Sequence, residues 1–372
     1  MERTYRPTWA EIDLGAVSHN LAEIRRVVAS NVAIMPVVKA NAYGHGIYRI
    51  SAELITNGVK YLGVATVDEA LFLRQKGIDV SILVLGSVLQ EEADQAVDNN
   101  ITLTLCNDSL FRALMISAKK FMKKPRVHIK IDTGMGRIGV WHADAFEFIK
   151  KVYDTGVIEI EGVYTHFSSA SRDKMYTEMQ IEYFENVLLA LEKEKIGIKY
   201  KHADNSIASV EWKNTHYNLV RPGILIYGVY PKEDFREVLD LKPVMSLKTR
   251  IVHLKDTPTG RALSYGRTYI TQKPTKIATL PIGYADGYGR LLSNRAEALV
   301  HGEQVRVVGI VTMDQTLIDV GEIVDVKIGD EVVLFGEQKG VKISVEKISK
   351  LAKTIPYEIL SGIKERVPRI YI

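Results

Sequence analysis

The 372-residue chain holds a single cysteine, Cys106, and that scarcity removes two chemistries at once. No internal disulfide can form and no multi-cysteine zinc site can be built; no other metal site is expected. Cys106 closes the run Thr102-Leu-Thr-Leu-Cys106, a setting that suits strand packing better than nucleophilic attack. No apolar stretch is long enough to span a bilayer, and Met1-Glu-Arg-Thr-Tyr-Arg-Pro-Thr-Trp-Ala lacks an apolar signal core, so a cytoplasmic protein with no membrane partner is expected. Long blocks of one charge are also missing. With 49 Lys+Arg against 45 Asp+Glu, the net charge of +4 implies neither nucleic acid nor an anionic surface as partner. What is present is 46% hydrophobic residues, enough for a sizeable core. The length suits two domains, or a large barrel with an appendage.

From about residue 32 to 228, short β-rich runs alternate with longer helical patterns. Strands are expected over 33–38, 61–65, 82–85, 101–105, 127–132, 158–165, 200–203 and 219–227, with helices over 67–76, 109–121, 143–153 and 175–195. Eight such alternations point to an α/β fold, a (β/α)8 TIM-type barrel, with an open doubly wound sheet as the alternative. Beyond about residue 240 the texture becomes mostly β, with one clear helix over 345–352. The expected division is a barrel over 10–240 and a mostly β domain over 241–372. That second domain is joined by an N-terminal strand over about 1–9, and Asp13 or Ser18 begins the first helix.

The apolar run 32–38 ends on a cation, in Met35-Pro-Val-Val-Lys39-Ala-Asn41-Ala-Tyr43-Gly44-His45-Gly46. A strand-end lysine ordinarily snorkels to solvent. Held in a low-dielectric site, it can instead become a neutral amine able to form a Schiff base with an aldehyde cofactor. The following glycines and tyrosine suit close approach to a phosphate. In a barrel of this type chemistry gathers at the carboxyl ends of the strands. There fall Lys39, Arg137, His166, Asn205, Ser206 and the segment Arg221-Pro-Gly223-Ile224, a convergence that favours a site. Gly134-Met-Gly136-Arg-Ile-Gly139 matches the dinucleotide fingerprint, but no Rossmann-style half precedes it. Its useful content is Arg137 on a glycine loop. An arginine at a pyridine nitrogen would leave that nitrogen unprotonated.

Taken together, Val37-Val-Lys39-Ala-Asn-Ala-Tyr43-Gly-His-Gly46, Asp132-Thr-Gly-Met-Gly-Arg137-Ile-Gly, Thr165-His166-Phe, Asn205-Ser206, Arg221-Pro-Gly-Ile, Ser264-Tyr265-Gly, Gly283-Tyr284-Ala-Asp-Gly and Met313-Asp-Gln resemble the bacterial alanine racemases, a pyridoxal-phosphate family. The match runs in order over nearly the whole chain. The resemblance implies a Schiff base between Lys39 and pyridoxal 5'-phosphate, with Tyr43, Ser206, Gly223, Ile224 and Tyr357 at the phosphate. Arg221 would face the pyridine nitrogen, Arg137 the phenolic oxygen, and His166 the ring; Asn205 stands beside Ser206 in the same cofactor-binding segment. It also implies a homodimer with shared active sites, in which Tyr265, Tyr284 and Met313 serve the partner's cofactor. Lys39 and Tyr265 are then the catalytic pair, Arg137, Tyr284 and Met313 contact alanine, and Lys130 matches a position open to carbamylation. Thr312 and Ser361 stand where cysteines are common in the family. Alternatives from the same architecture are a broader amino-acid racemase and a decarboxylase, against which Arg221 argues. A single-domain pyridoxal-phosphate-binding barrel would lack the β domain.

Overall fold

In the computed structural model, which describes residues 6–372, eight short parallel strands ring one axis. They are Ala33–Ile34, Tyr61–Val64, Ser81–Val84, Thr102–Leu105, Arg126–Asp132, Glu159–Tyr164, Tyr200–His202 and Leu219–Val220, here the first to eighth barrel strands. Parallel ladders join the second through the seventh, and the eighth pairs with the first. The ring closes where Val37 bridges Gly63 and where Arg221 N–H donates to the Asp204 carbonyl at 3.1 Å. This is the (β/α)8 barrel that the alternating pattern predicts. Several strands, such as Tyr61–Val64 and Thr102–Leu105, are buried on both faces, which is why they do not show an alternating polar pattern.

Two strands are shorter than the sequence suggests. Pro36 and Pro222 have no N–H to give, so each breaks its ladder; beyond Pro222 the chain winds into the 3-10 turn Ile224–Tyr227 instead of continuing to residue 227. Cys106 falls one residue beyond the fourth strand and is only half-buried, its thiol 3.7 Å from the Ser87 hydroxyl, so it is not a strand-packing residue. Of the two candidate starts for the first helix, Leu14–Val27, Asp13 is the cap: its carboxylate accepts the Ala16 N–H at 2.9 Å.

Downstream, a 10-stranded sheet forms. Thr8–Ile12 belongs to it, antiparallel to Met245–Arg250 and parallel to Arg369–Tyr371, with Thr8, Ala10 and Ile12 turned into the core. The part of the N-terminal strand expected over residues 1–5 lies outside the described residues. Besides the helix Val345–Leu351, a second helix, Pro356–Ser361, follows; its signal was Pro356 at the first helical position. That helix reaches the mouth of the barrel, where Tyr357 and Ser361 line the cavity described next.

Candidate active site

At the carboxyl end of the barrel strands lies a cavity of ≈ 560 Å³. Lys39, Tyr43, Lys130, Arg137, His166, Asn205, Ser206, Arg221, Gly223, Ile224 and Tyr357 all line it. Residues up to a few hundred positions apart are thus brought into one mouth by the barrel's strand ends and by the helix Pro356–Ser361.

Lys39 is half-buried, and burial first, then the Arg137 charge, lower its amine from the ordinary lysine value. The next four residues form a left-handed turn, with φ of +53°, +53°, +54° and +51° at Ala40, Asn41, Ala42 and Tyr43. Left-handed backbone costs roughly 1–2 kcal/mol per non-glycine residue, so the surroundings must enforce it. They do so on every side. Buried His45 donates through Nδ1 to the Ala42 and Tyr43 carbonyls, both at 2.9 Å, and burial lowers its pKa to about 4, so it stays neutral. Asn41 Oδ1 accepts the Ile47 N–H at 2.8 Å, and Arg369 Nε donates to the Gly44 carbonyl at 2.9 Å. Gly44 is required at its position, because a Cβ there would lie 2.2 Å from the Leu360 carbonyl oxygen.

The turn aims the Tyr43 hydroxyl at a small polar cradle. Gly223 N–H donates to Ser206 Oγ at 2.8 Å, and a Cβ on Gly223 would lie 2.5 Å from Tyr43 Oη. Tyr43 is held by Tyr227 and Tyr357, with ring centroids 4.7 and 5.9 Å away. Asn205 Oδ1 accepts the Ile207 and Ala208 N–H groups at 2.9 and 3.1 Å, shaping the turn that carries Ser206 rather than facing the cradle.

Arg221 is buried, and burial lowers its pKa to about 10, leaving it a cation. It donates to His202 Nδ1 at 2.6 Å and to the Thr165 and Ala203 carbonyls at 2.8 Å each. His166 Nδ1 lies 3.3 Å from the same guanidinium; burial and then Arg221 hold this imidazole well below its usual pKa, so it is neutral. Lys130, 1% exposed, has no hydrogen-bond partner for its Nζ among the described residues, and burial followed by Arg221 lowers its pKa to about 8. Its Nζ lies over the Tyr164 ring, 5.4 Å from the centroid.

The glycine motif is a turn wrapped around a carboxylate. Asp132 Oδ1 accepts the N–H groups of Gly134 and Gly136 at 2.9 and 3.1 Å, and a Cβ on Gly139 would lie 2.7 Å from Asp132 N. The anion a nucleotide phosphate would supply is therefore provided by the chain itself, and the loop presents exposed Arg137 at the cavity. Sequence reasoning missed Tyr164, which also lines the cavity and donates or accepts at 2.7 Å with Thr104 Oγ1. Its one signal was its place beside Thr165-His166 at the end of the sixth strand.

Three singled-out residues stay out of this cavity. Tyr265, Tyr284 and Met313 are 73%, 42% and 53% exposed on the β domain. Their loops abut: Tyr284 N–H donates to the Thr312 carbonyl and Ala285 N–H to the Met313 carbonyl, both at 3.0 Å, while Ser264 Oγ donates to the Ile310 carbonyl at 2.7 Å. Buried Asp286 anchors the group through Arg6 at 2.6 Å and Arg366 at 2.9 Å.

A (β/α)8 barrel with a partly desolvated lysine in its mouth, joined to a β sheet that takes in Thr8–Ile12, defines a class of two-part barrel enzymes with an amine at the centre of the site. Which one is settled by comparison. Residues 12–231 match the alanine racemase N-terminal domain and 244–371 the alanine racemase C-terminal domain, so the chain belongs to the alanine racemase family. It is 48% identical to alanine racemase 2 of Caldanaerobacter subterraneus, over 99% of this chain and 95% of that one. The solved alanine racemase of Clostridium difficile superposes with a TM-score of 0.95 at 38% identity, covering 100% of this chain and 97% of that one. The Bacillus anthracis alanine racemase with bound L-Ala-P gives 0.93 at 37% identity, covering 100% and 96%.

Proposed function

We propose that the protein interconverts L- and D-alanine with pyridoxal 5'-phosphate carried on Lys39, in a cytoplasmic homodimer that supplies D-alanine for peptidoglycan. Its main support is the cavity itself: Lys39 sits inside it, whereas Tyr265, 73% exposed, stands outside. The cradle of Tyr43 Oη, Ser206 Oγ and Gly223, too tight for a Cβ, fits a phosphate group. When bound, pyridoxal phosphate supplies an electron sink that makes the α-proton of an amino acid removable.

The chain's own groups do the rest. Tyr43, Ser206 and Gly223 would hold the phosphate, with Ile224 and Tyr357 closing the same wall. Arg221 would face the ring nitrogen and, being an arginine, would keep its proton, which would leave the ring a weaker electron sink and disfavour transamination. Arg137, together with Tyr284 and Met313 of the partner subunit, orients the substrate. Racemisation needs acid–base groups on opposite faces of the α-carbon. Lys39, its pKa lowered, takes or returns the proton on one face, and Tyr265 of the partner subunit does so on the other. Lys130, with its pKa lowered to about 8, releases its proton far more readily than an ordinary lysine, and the neutral amine so formed can attack carbon dioxide, forming an N–C bond and releasing a proton. The resulting carbamate would face Arg137 as an anion.

The test is direct. Incubation with L-alanine yields D-alanine without release of carbon dioxide, and borohydride abolishes activity with the cofactor adduct mapped to Lys39. Carbon dioxide release, or an adduct on another lysine, refutes the reading.

A further inference from the structure

A chain of hydrogen bonds runs down the inside of the barrel, away from the cavity. Arg221 Nη1 donates to His202 Nδ1 at 2.6 Å, His202 Nε2 lies 2.7 Å from His128 Nδ1, and His128 Nε2 lies 3.0 Å from Tyr61 Oη. The Tyr61 hydroxyl then donates to Glu161 Oε2 at 2.9 Å. Four barrel strands contribute one group each and Arg221 follows directly on the eighth; all five groups are buried.

Both ends force the direction of the chain. A guanidinium cannot accept, so His202 Nδ1 must, and the single proton of this imidazole sits on Nε2. That proton is donated to His128 Nδ1, which leaves the His128 proton on Nε2, pointing at the Tyr61 oxygen. Tyr61 passes its own hydroxyl proton toward Glu161, and a carboxylate can only accept. Burial, then the Arg221 charge, hold His202 well below its usual pKa, and burial also lowers His128, so both are neutral. Burial opposes the charge on Glu161, but the facing His128 and Tyr61 outweigh it and its pKa falls to about 2. At its outer side Glu161 Oε1 meets exposed Lys199 at 3.5 Å. Arg221 makes no ion pair within 4 Å of any described carboxylate; the buried Asp204 acts on its charge from further off and takes its hydrogen bond from Thr215 Oγ1 at 2.6 Å.

We propose that Glu161 anchors the far end of this chain as a positioning residue, acting through Tyr61, His128 and His202 to lock Arg221 as a donor toward the cavity. This rests on the reading above that Arg221 faces the cofactor's ring nitrogen. Without the chain, His202 could turn its Nδ1–H toward Arg221, two donors would confront each other, and the guanidinium would shift.

The test begins on the unmodified holoenzyme, with selectively ¹⁵N-labelled histidine. Both His202 and His128 should be neutral Nε2–H tautomers; an Nδ1–H tautomer or an imidazolium at either position overturns the proposal. The second arm uses Tyr61→Phe, which keeps the ring but removes the hydroxyl link and leaves His128 Nε2 only its 3.6 Å contact with Glu161 Oε2, and Glu161→Gln. Each should give a mixed His202 tautomer and a kcat for alanine lowered roughly tenfold, the effect of about one pKa unit, with KM changed far less. Glu161→Asp should restore part of the loss. Unchanged kcat in both variants, with tautomers as described, refutes the positioning role while leaving the racemase reading intact. Absence of racemisation in the unmodified protein refutes that reading and leaves the direction of the chain standing. Should either variant fail to fold, the wild-type tautomers still decide.

Discussion

Replacing Gly223 with alanine probes the phosphate cradle at its tightest point. The new Cβ would lie 2.5 Å from Tyr43 Oη, well inside contact distance, and 3.9 Å from Ser206 Oγ. Tyr43 cannot swing aside cheaply, since its ring lies against Tyr227 and Tyr357 and its backbone belongs to the enforced left-handed turn. The methyl therefore occupies space meant for a phosphate oxygen. At least one hydrogen bond to a charged group is lost, worth about 1.5–3 kcal/mol, which corresponds to a cofactor Kd weakened roughly 10- to 150-fold. Spectroscopic titration of the apoprotein with pyridoxal phosphate measures it, with thermal unfolding as the control for global damage. A Kd within twofold of the parent value, in a variant that folds normally, would refute the assignment of this cradle.

Tyr265→Phe should slow α-proton exchange from one alanine enantiomer far more than from the other, read as deuterium wash-in; equal slowing refutes the two-base arrangement. Arg221→Glu, which can protonate the ring nitrogen, should raise the transamination by-product, measured as pyruvate formed per racemisation, and an unchanged ratio contradicts the role given to Arg221. Lys130 has its folded pKa lowered to about 8, so folding disfavours its proton. The resulting destabilisation is fully present below pH 8 and fades as pH rises from 8 toward the unfolded value near ~10.4. Lys130→Met in carbon-dioxide-free buffer should thus be more stable at pH 7, by up to about 3 kcal/mol, and lose that advantage by about pH 10. Denaturant unfolding across that range checks it, and a pH-independent difference refutes the buried free amine.

The barrel was legible because short β-rich runs alternate with helical periods, so that 61–65 and 101–105 lie within a residue of the observed Tyr61–Val64 and Thr102–Leu105. The strand ends at Pro36 and Pro222 blurred because apolar composition continues through them while the hydrogen-bond ladder does not. The turn at 40–43 carries no local sign of its left-handed backbone: none of the four is glycine, and the conformation is imposed by His45, Asn41 and the distant Arg369. Residues of the candidate site were readable as a rim of polar strand ends and through resemblance. Tyr164, His128, His202 and Glu161 were not, since each is an ordinary strand residue whose meaning lies in partners tens of residues away. The exposure of Tyr265 belongs to the same category, because a single chain does not say which cavity it serves.

The central claim, that one active site is built from Lys39 of one subunit and Tyr265 of the other, is tested most directly by mixing two inactive variants. Lys39→Ala and Tyr265→Phe are each purified, combined, dissociated and allowed to reassociate. A hybrid dimer then contains one doubly impaired site and one intact site. Random assortment should restore about a quarter of wild-type racemase activity, as half the dimers carry one working site of two. No recovery, with hybrid dimers demonstrated by mass, would contradict the account.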